Sequence, residues 1–139
     1  MAYEPFYGEI MPWPIGYAPQ GWAFCDGSLL PIAQYQALFA LIGTTYGGNG
    51  VSTFALPDLR GRIPLGAGQA PASSTNHPLG EQGGAETAAL TQLPIPALTG
   101  DPVQSVLSLP QGRTEVSIMP PYLAINYVIA LTGWRSMRP

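Results

Sequence analysis

Lysine is absent from the chain, and all five cations are arginine. Charge of either sign is scarce: 9% of the 139 residues are charged, against about 25% in an ordinary globular domain. With a net charge of −3, no basic surface is available to neutralise a phosphate backbone, so nucleic acid is excluded as a main partner. A single cysteine, Cys25, excludes an intramolecular disulfide framework. A single histidine, His77, leaves zinc without a ligand set, because a site needs several Cys or His residues. No apolar run reaches the ~18–20 residues that span a bilayer, so membrane insertion is not expected. The opening MAYEPFYGEIMPWP has neither a basic n-region nor an apolar h-region, and so no recognisable signal peptide.

What the chain does have is apolar material. Hydrophobic residues make up 46% and aromatics 10%, enough for a folded core despite 17 glycines and 16 prolines. A soluble monomer ordinarily keeps a charged surface. A chain this poor in charge is expected to bury part of its surface against other protein chains. The competing reading is a small monomer with an uncharged polar surface.

No internal repeat is visible, and turn residues recur every few positions, which predicts short strands and long loops in one domain over 1–139. The prolines at 5, 12, 14 and 19 allow only short or edge strands near the start. Phe6–Met11 is predicted to pair as one strand. Asp26-Gly27 between Trp22–Cys25 and Ser28–Leu30 is a hairpin signal of the type I′ kind. Ile32, Tyr35, Leu38/Phe39 and Leu41/Ile42 form one helical stripe, with Pro31 at the first position and Gly43 as the stop, so a helix is predicted near 31–42. Thr44–Gly50 is a glycine loop. The small, polar stretch of about 67–89 reads as a long surface loop. Val103–Leu109 and Thr114–Met119 flank Pro110-Gln111-Gly112 as a second predicted hairpin. From Leu123 to Thr132 the chain alternates with apolar residues on both faces. This predicts a central strand covered on two sides, or one gripped by a second chain. The fold class is therefore α+β, mainly β.

The residues offer little catalytic chemistry. Cys25 lies in an apolar run, where a thiol is ordinarily a small core residue, and His77 lies in a polar loop, so a Cys–His nucleophile is disfavoured. Eight scattered carboxylates define neither a glycosidase pair nor a calcium loop. Gly47-Gly48-Asn49-Gly50 follows a helix instead of opening one and lacks the Lys-Ser/Thr of a phosphate loop. No catalytic residue, metal or cofactor is assigned. Asp58, Arg60 and Arg62 form the densest charge cluster. They are read first as a turn that bonds to itself and staples the fold, and second as an arginine pair for an anionic sugar or a partner's carboxylate. The aromatics of the first 22 residues exceed what a short terminal segment readily buries, which favours an interface.

The runs Gly8-Glu9-Ile10, Gln20-Gly21-Trp22-Ala23-Phe24-Cys25-Asp26-Gly27 and Thr44-Thr45-Tyr46-Gly47-Gly48-Asn49-Gly50 stand in order. Leu56-Pro57-Asp58-Leu59-Arg60-Gly61-Arg62 and Met119-Pro120-Pro121-Tyr122-Leu123-Ala124-Ile125-Asn126-Tyr127 follow them. Together they resemble the phage tail collar domain, most closely its compact bacterial members, the microcystin-dependent proteins. The resemblance implies a compact collar-like fold and a non-enzymatic structural role. Relatives occur in short tail fibres, typically as trimers that contact a host surface, so an extracellular or virion-associated location is implied. After Leu93-Pro94 the family commonly carries a His-x-His pair that binds metal; here Pro96-Ala97-Leu98 stands there, and no metal site is carried over. The short region that follows leaves no room for a large receptor-binding insertion.

The expectation is a subunit that self-assembles, either into a closed homotrimer or head-to-tail into a fibre. Tyr3, Phe6, Tyr7, Trp13, Tyr122, Leu123, Ile125, Tyr127 and Ile129 are its candidate interface residues. The alternative is an adhesion module that binds a cell-surface glycan through the aromatics and Arg60/Arg62.

Overall fold

A computed structural model describes residues 3–72, 75–89 and 115–135. In chain order its elements are β1 (Ile10–Trp13), β2 (Trp22–Phe24), β3 (Leu29–Pro31), α1 (Gln36–Ile42), β4 (Thr53–Ala55), β5 (Gly68–Gln69), β6 (Asn76–His77), β7 (Thr87–Ala89), β8 (Glu115–Ser117) and β9 (Asn126–Ala130). Short antiparallel strands and one short helix make this an α+β fold that is mainly β. The chain groups into two compact units, one of residues 1–81 with 124–139, the other of residues 82–123.

The first unit is built on a three-stranded sheet of order β1-β9-β2. β9 pairs antiparallel with both neighbours, Ile129 standing opposite Ile10 on one side and Ala23 on the other. Val128, Ile129 and Ala130 are all buried, and since successive strand residues point to opposite faces, both faces are covered there. The predicted central strand is thus present, shortened to five residues. β1 is an edge strand, which explains how it contains a proline. The Ala130 N–H bonds the Glu9 carbonyl at 2.9 Å. Alternation along the ladder then turns Pro12 away from β9, where its missing N–H costs no bond.

Three expectations about local structure need correction. The strand predicted at Phe6–Met11 begins only at Ile10, because residues 6–8 turn: Glu9 N–H bonds the Phe6 carbonyl and Gly8 takes φ +79°. Asp26-Gly27 is not a hairpin tip. β2 pairs with β9 and β3 with β4, so the turn carries the chain from one sheet to the next. Longer-range apolar partners outcompete the local pairing. The helix starts at Gln36, not Pro31. Pro31 closes β3 opposite Thr53, and Ile32 N–H is drawn to the Ser52 carbonyl at 2.9 Å, so the first turn of the stripe is used by strand pairing.

α1 has seven residues and no side-chain N-cap, too little to persist alone. It is held by burial: Leu38 is fully enclosed among Cys25, Phe54, Leu56 and Ile129, with Phe39 and Ile42 packed against them. Gly43 ends it as expected, donating its N–H to the Phe39 carbonyl. The following glycine loop folds back on β4. Gly48 lies so close that an added Cβ would meet the Phe54 backbone and lie 2.7 Å from the Thr53 carbonyl oxygen. Asn49 fixes the loop by accepting the N–H groups of Val51, Ser52 and Thr53 on one side-chain oxygen. The polar stretch predicted as a loop over 67–89 is exposed along most of its described length, and its described residues include the two-residue strands β5 and β6, which pair with each other, and β7 at its end.

In the second unit, β7 and β8 pair antiparallel. β8 falls within the predicted strand at 114–119; its expected partner at 103–109 and the turn at 110–112 lie outside the described residues.

Candidate functional site

At the start of the first unit an aromatic ledge is assembled from two distant parts of the chain. The Tyr7 N–H bonds the Trp134 carbonyl at 3.0 Å, and the Trp134 N–H bonds the Pro5 carbonyl at 2.9 Å. Phe6 and Trp134 form the resulting parallel bridge, which puts their side chains on the same face. Gly133 permits this approach, since a Cβ there would run into the Pro5 carbonyl. Glu9 braces the same corner: one carboxylate oxygen accepts the Tyr3 hydroxyl, the other the Phe6 N–H. That hydrogen bond to Glu9 raises the Tyr3 pKa. The three rings remain largely open to solvent, Tyr3 at 70%, Phe6 at 55% and Trp134 at 62%.

The other interface candidates fall into three groups. Tyr122 and Leu123, in the second unit, are exposed, as is Ile125 in the first. Tyr7 and Tyr127 are half-buried and pack on the core; Trp13 is half-buried and donates its indole N–H to the Tyr17 carbonyl. Ile129 is 1% exposed and belongs to the core, so as a candidate surface residue it is withdrawn: the period-two pattern does not tell a face covered from within from one covered by a partner. Trp134, by contrast, is not among the residues that the sequence marks for an interface. Its only signal is the Gly133 before it, whose significance depends on Pro5, over a hundred residues away.

Asp58 and Arg60 form a bidentate pair, with Nε to Oδ1 and Nη2 to Oδ2 both at 2.9 Å, and the Arg60 N–H joins at 3.2 Å. The guanidinium holds the Asp58 carboxyl down at about 2, and the hydrogen bonds to the Asp58 carboxylate raise the Arg60 pKa in turn. The Asp58 backbone also bridges that of Asp26, and the Leu59 N–H bonds the Cys25 carbonyl. Arg62 is exposed, and its charge also lowers the Asp58 pKa.

Beside this pair lies an open cavity of about 230 Å³. Phe24, Cys25 and Asp26 wall it from the end of β2, Leu59 and Arg60 from the turn after β4, and Ile125, Asn126 and Tyr127 from the start of β9. The Cys25 thiol is buried, and desolvation pushes its pKa up to about 12. His77 bonds Glu81 at 2.7 Å. Among the described residues no group of three His, Cys, Asp or Glu side chains is placed to hold a metal, and no helix is long and apolar enough to cross a membrane. The family's metal-pair positions, 96–98, lie outside the described residues.

Residues 8–64 match the phage tail collar domain, the family that the sequence motifs resemble. This stretch runs from β1 through the Asp58–Arg60 turn and contains most of the cavity wall. The chain is also 42% identical over 52 residues to Protein RhiB of Rhizobium leguminosarum bv. viciae. That alignment covers 34% of this chain and 24% of RhiB, so the chain spans about a quarter of the length of the relative it matches.

Proposed function

We propose, from the collar match over residues 8–64, that this chain is a non-enzymatic structural subunit of the phage tail-fibre type, one that associates with copies of itself outside the cell or on a virion. The observation that carries the reading is the aromatic ledge of Tyr3, Phe6 and Trp134. Its backbone is hydrogen-bonded in place, yet its rings stay in water. Burying a large apolar side chain contributes about 2 kcal/mol, and Tyr and Trp favour interfaces where one end is apolar and the other wet. The scarcity of charge supports the same reading.

The test is the state of the native, untagged protein at micromolar concentration, by light scattering after size exclusion and by negative-stain electron microscopy. A homotrimer or regular fibres are expected, and Phe6→Asp with Trp134→Asp is expected to dissociate them while leaving the far-UV circular dichroism unchanged. A monomer at these concentrations would refute the reading.

A second reading, contact with a cell-surface glycan, is favoured by one feature, the cavity at the ends of β2 and β9, whose polar groups are already held in place.

A further inference from the structure

We infer, resting on the second reading above, that the cavity beside Asp58 and Arg60 is a subsite for a single neutral pyranose ring. Its walls are joined before any ligand arrives. The Cys25 N–H bonds the Tyr127 carbonyl at 2.9 Å, and the Leu59 N–H bonds the Cys25 carbonyl at 3.0 Å, so the three wall segments are tied together by backbone. Binding into such a site pays little ordering entropy.

The polar side chains on the walls are oriented as well. Asp58 holds the Arg60 guanidinium through two nitrogens, leaving its remaining N–H groups to donate. Asn126 spends an amide N–H on the Ile15 carbonyl at 2.9 Å, which fixes the amide and leaves its oxygen to accept. Asp26 takes the Ser28 N–H and hydroxyl on one carboxylate oxygen and keeps the other. Arg60 and the second Asn126 amide N–H thus donate beside two acceptors, the Asn126 oxygen and the free Asp26 oxygen. Neighbouring sugar hydroxyls, each able to donate and accept, match such a set. Phe24, Leu59 and Ile125 add apolar wall for the C–H face of the ring.

Size and charge narrow the class. At about 230 Å³ the cavity falls below the ~300–1,000 Å³ of sites for drug-sized ligands, which suits one ring and not a chain enclosed end to end. Of the residues that line the cavity, Asp26 and Arg60 are the charged ones, and Arg60 is already paired with Asp58. An anionic sugar finds no free countercharge there, which turns the sequence-based expectation of an arginine grip on an acidic ligand toward a neutral one.

The experiment is saturation-transfer difference NMR on the full chain, which reads ligand signals whether the protein is monomeric or assembled. The probes are the methyl glycosides of glucose, galactose and N-acetylglucosamine, with glucuronate as the anionic comparison. A dissociation constant of order 1 mM is expected for at least one neutral glycoside, and binding at least about tenfold weaker for glucuronate. Asp26→Asn keeps an acceptor for Ser28 and is expected to weaken binding about tenfold. Ile125→Ser, at an exposed position, is expected to weaken it too, whereas Ile63→Ser, exposed and outside the cavity, is expected to leave it unchanged. Each variant is first checked for an unchanged circular dichroism spectrum. Binding that survives both cavity substitutions would overturn the site while leaving glycan contact standing. Glucuronate binding equal to that of the neutral probes would overturn the ligand class. No transfer to any saccharide would overturn both the site and the second reading.

Discussion

Asp58 grips Arg60 with both carboxylate oxygens at 2.9 Å, two residues along the chain, while its own backbone bridges Asp26. The pair therefore sits where the turn after β4 meets the end of β2. Hydrogen bonding from Arg60 places the Asp58 pKa at about 2, below its ordinary value. A depressed carboxylate pKa contributes stability that is fully present above the unfolded value of about 4 and is lost as pH falls toward the folded value. The urea midpoint of the wild type is expected to exceed that of Asp58→Asn at pH 6, and the gap to close between about pH 4 and pH 2. Both side chains are solvent-accessible, so the gap is expected to be small and to shrink in salt. A gap that persists unchanged at pH 2 would contradict this assignment.

Gly48→Ala is expected to destabilise the first unit by about 2 kcal/mol or more. Its φ of +94° is unfavourable for any L side chain, and the new Cβ meets backbone that cannot yield as a side chain tip would. Gly66→Ala, where nothing lies within 4 Å, is the matched control and is expected to stay within about 0.5 kcal/mol. Thermal denaturation of the two variants checks the difference.

Leu38→Ala is expected to cost about 2–5 kcal/mol, because the side chain is fully enclosed and leaves a cavity under α1. Leu41→Ala, three residues on but 44% exposed, is expected to cost less than about 1 kcal/mol. Equal losses in denaturant melts would mean that α1 is not seated through Leu38.

The Cys25 thiol is expected to be inert. It is buried, and with its pKa near 12 almost no thiolate exists at pH 8. Reaction with an aromatic disulfide reagent is expected to be slow in native buffer and fast in denaturant, tracking unfolding. Rapid modification of the native protein would show that the cavity opens onto the sulfur.

Periodicity and turn chemistry were legible in the sequence because they are local. The stripe through Leu38 and Ile42, the Gly43 stop, the confinement of Pro12 to an edge and the apolar run that became β9 each follow from residues a few positions apart. The collar motifs over residues 8–64 were legible for the same reason. Partner choice was not. Asp26-Gly27 carries a hairpin signal, but β2 finds β9 a hundred residues on and β3 finds β4, since pairing is decided by which apolar surfaces can be covered together. Ile129 is indistinguishable in sequence from an interface residue, and only its packing in one cluster with Leu38, Phe54 and Leu56 makes it core.

The sequence by itself determined the material this protein works with: few charges, one thiol, one imidazole, and enough apolar and turn residues for short strands. Tertiary structure alone decided where that chemistry gathers. It brought Trp134 beside Phe6, and it set Asp26, Arg60 and Asn126 around one cavity. Their spacing along the chain carries no trace of this, because closing a long loop costs entropy that only the burial of the whole core repays.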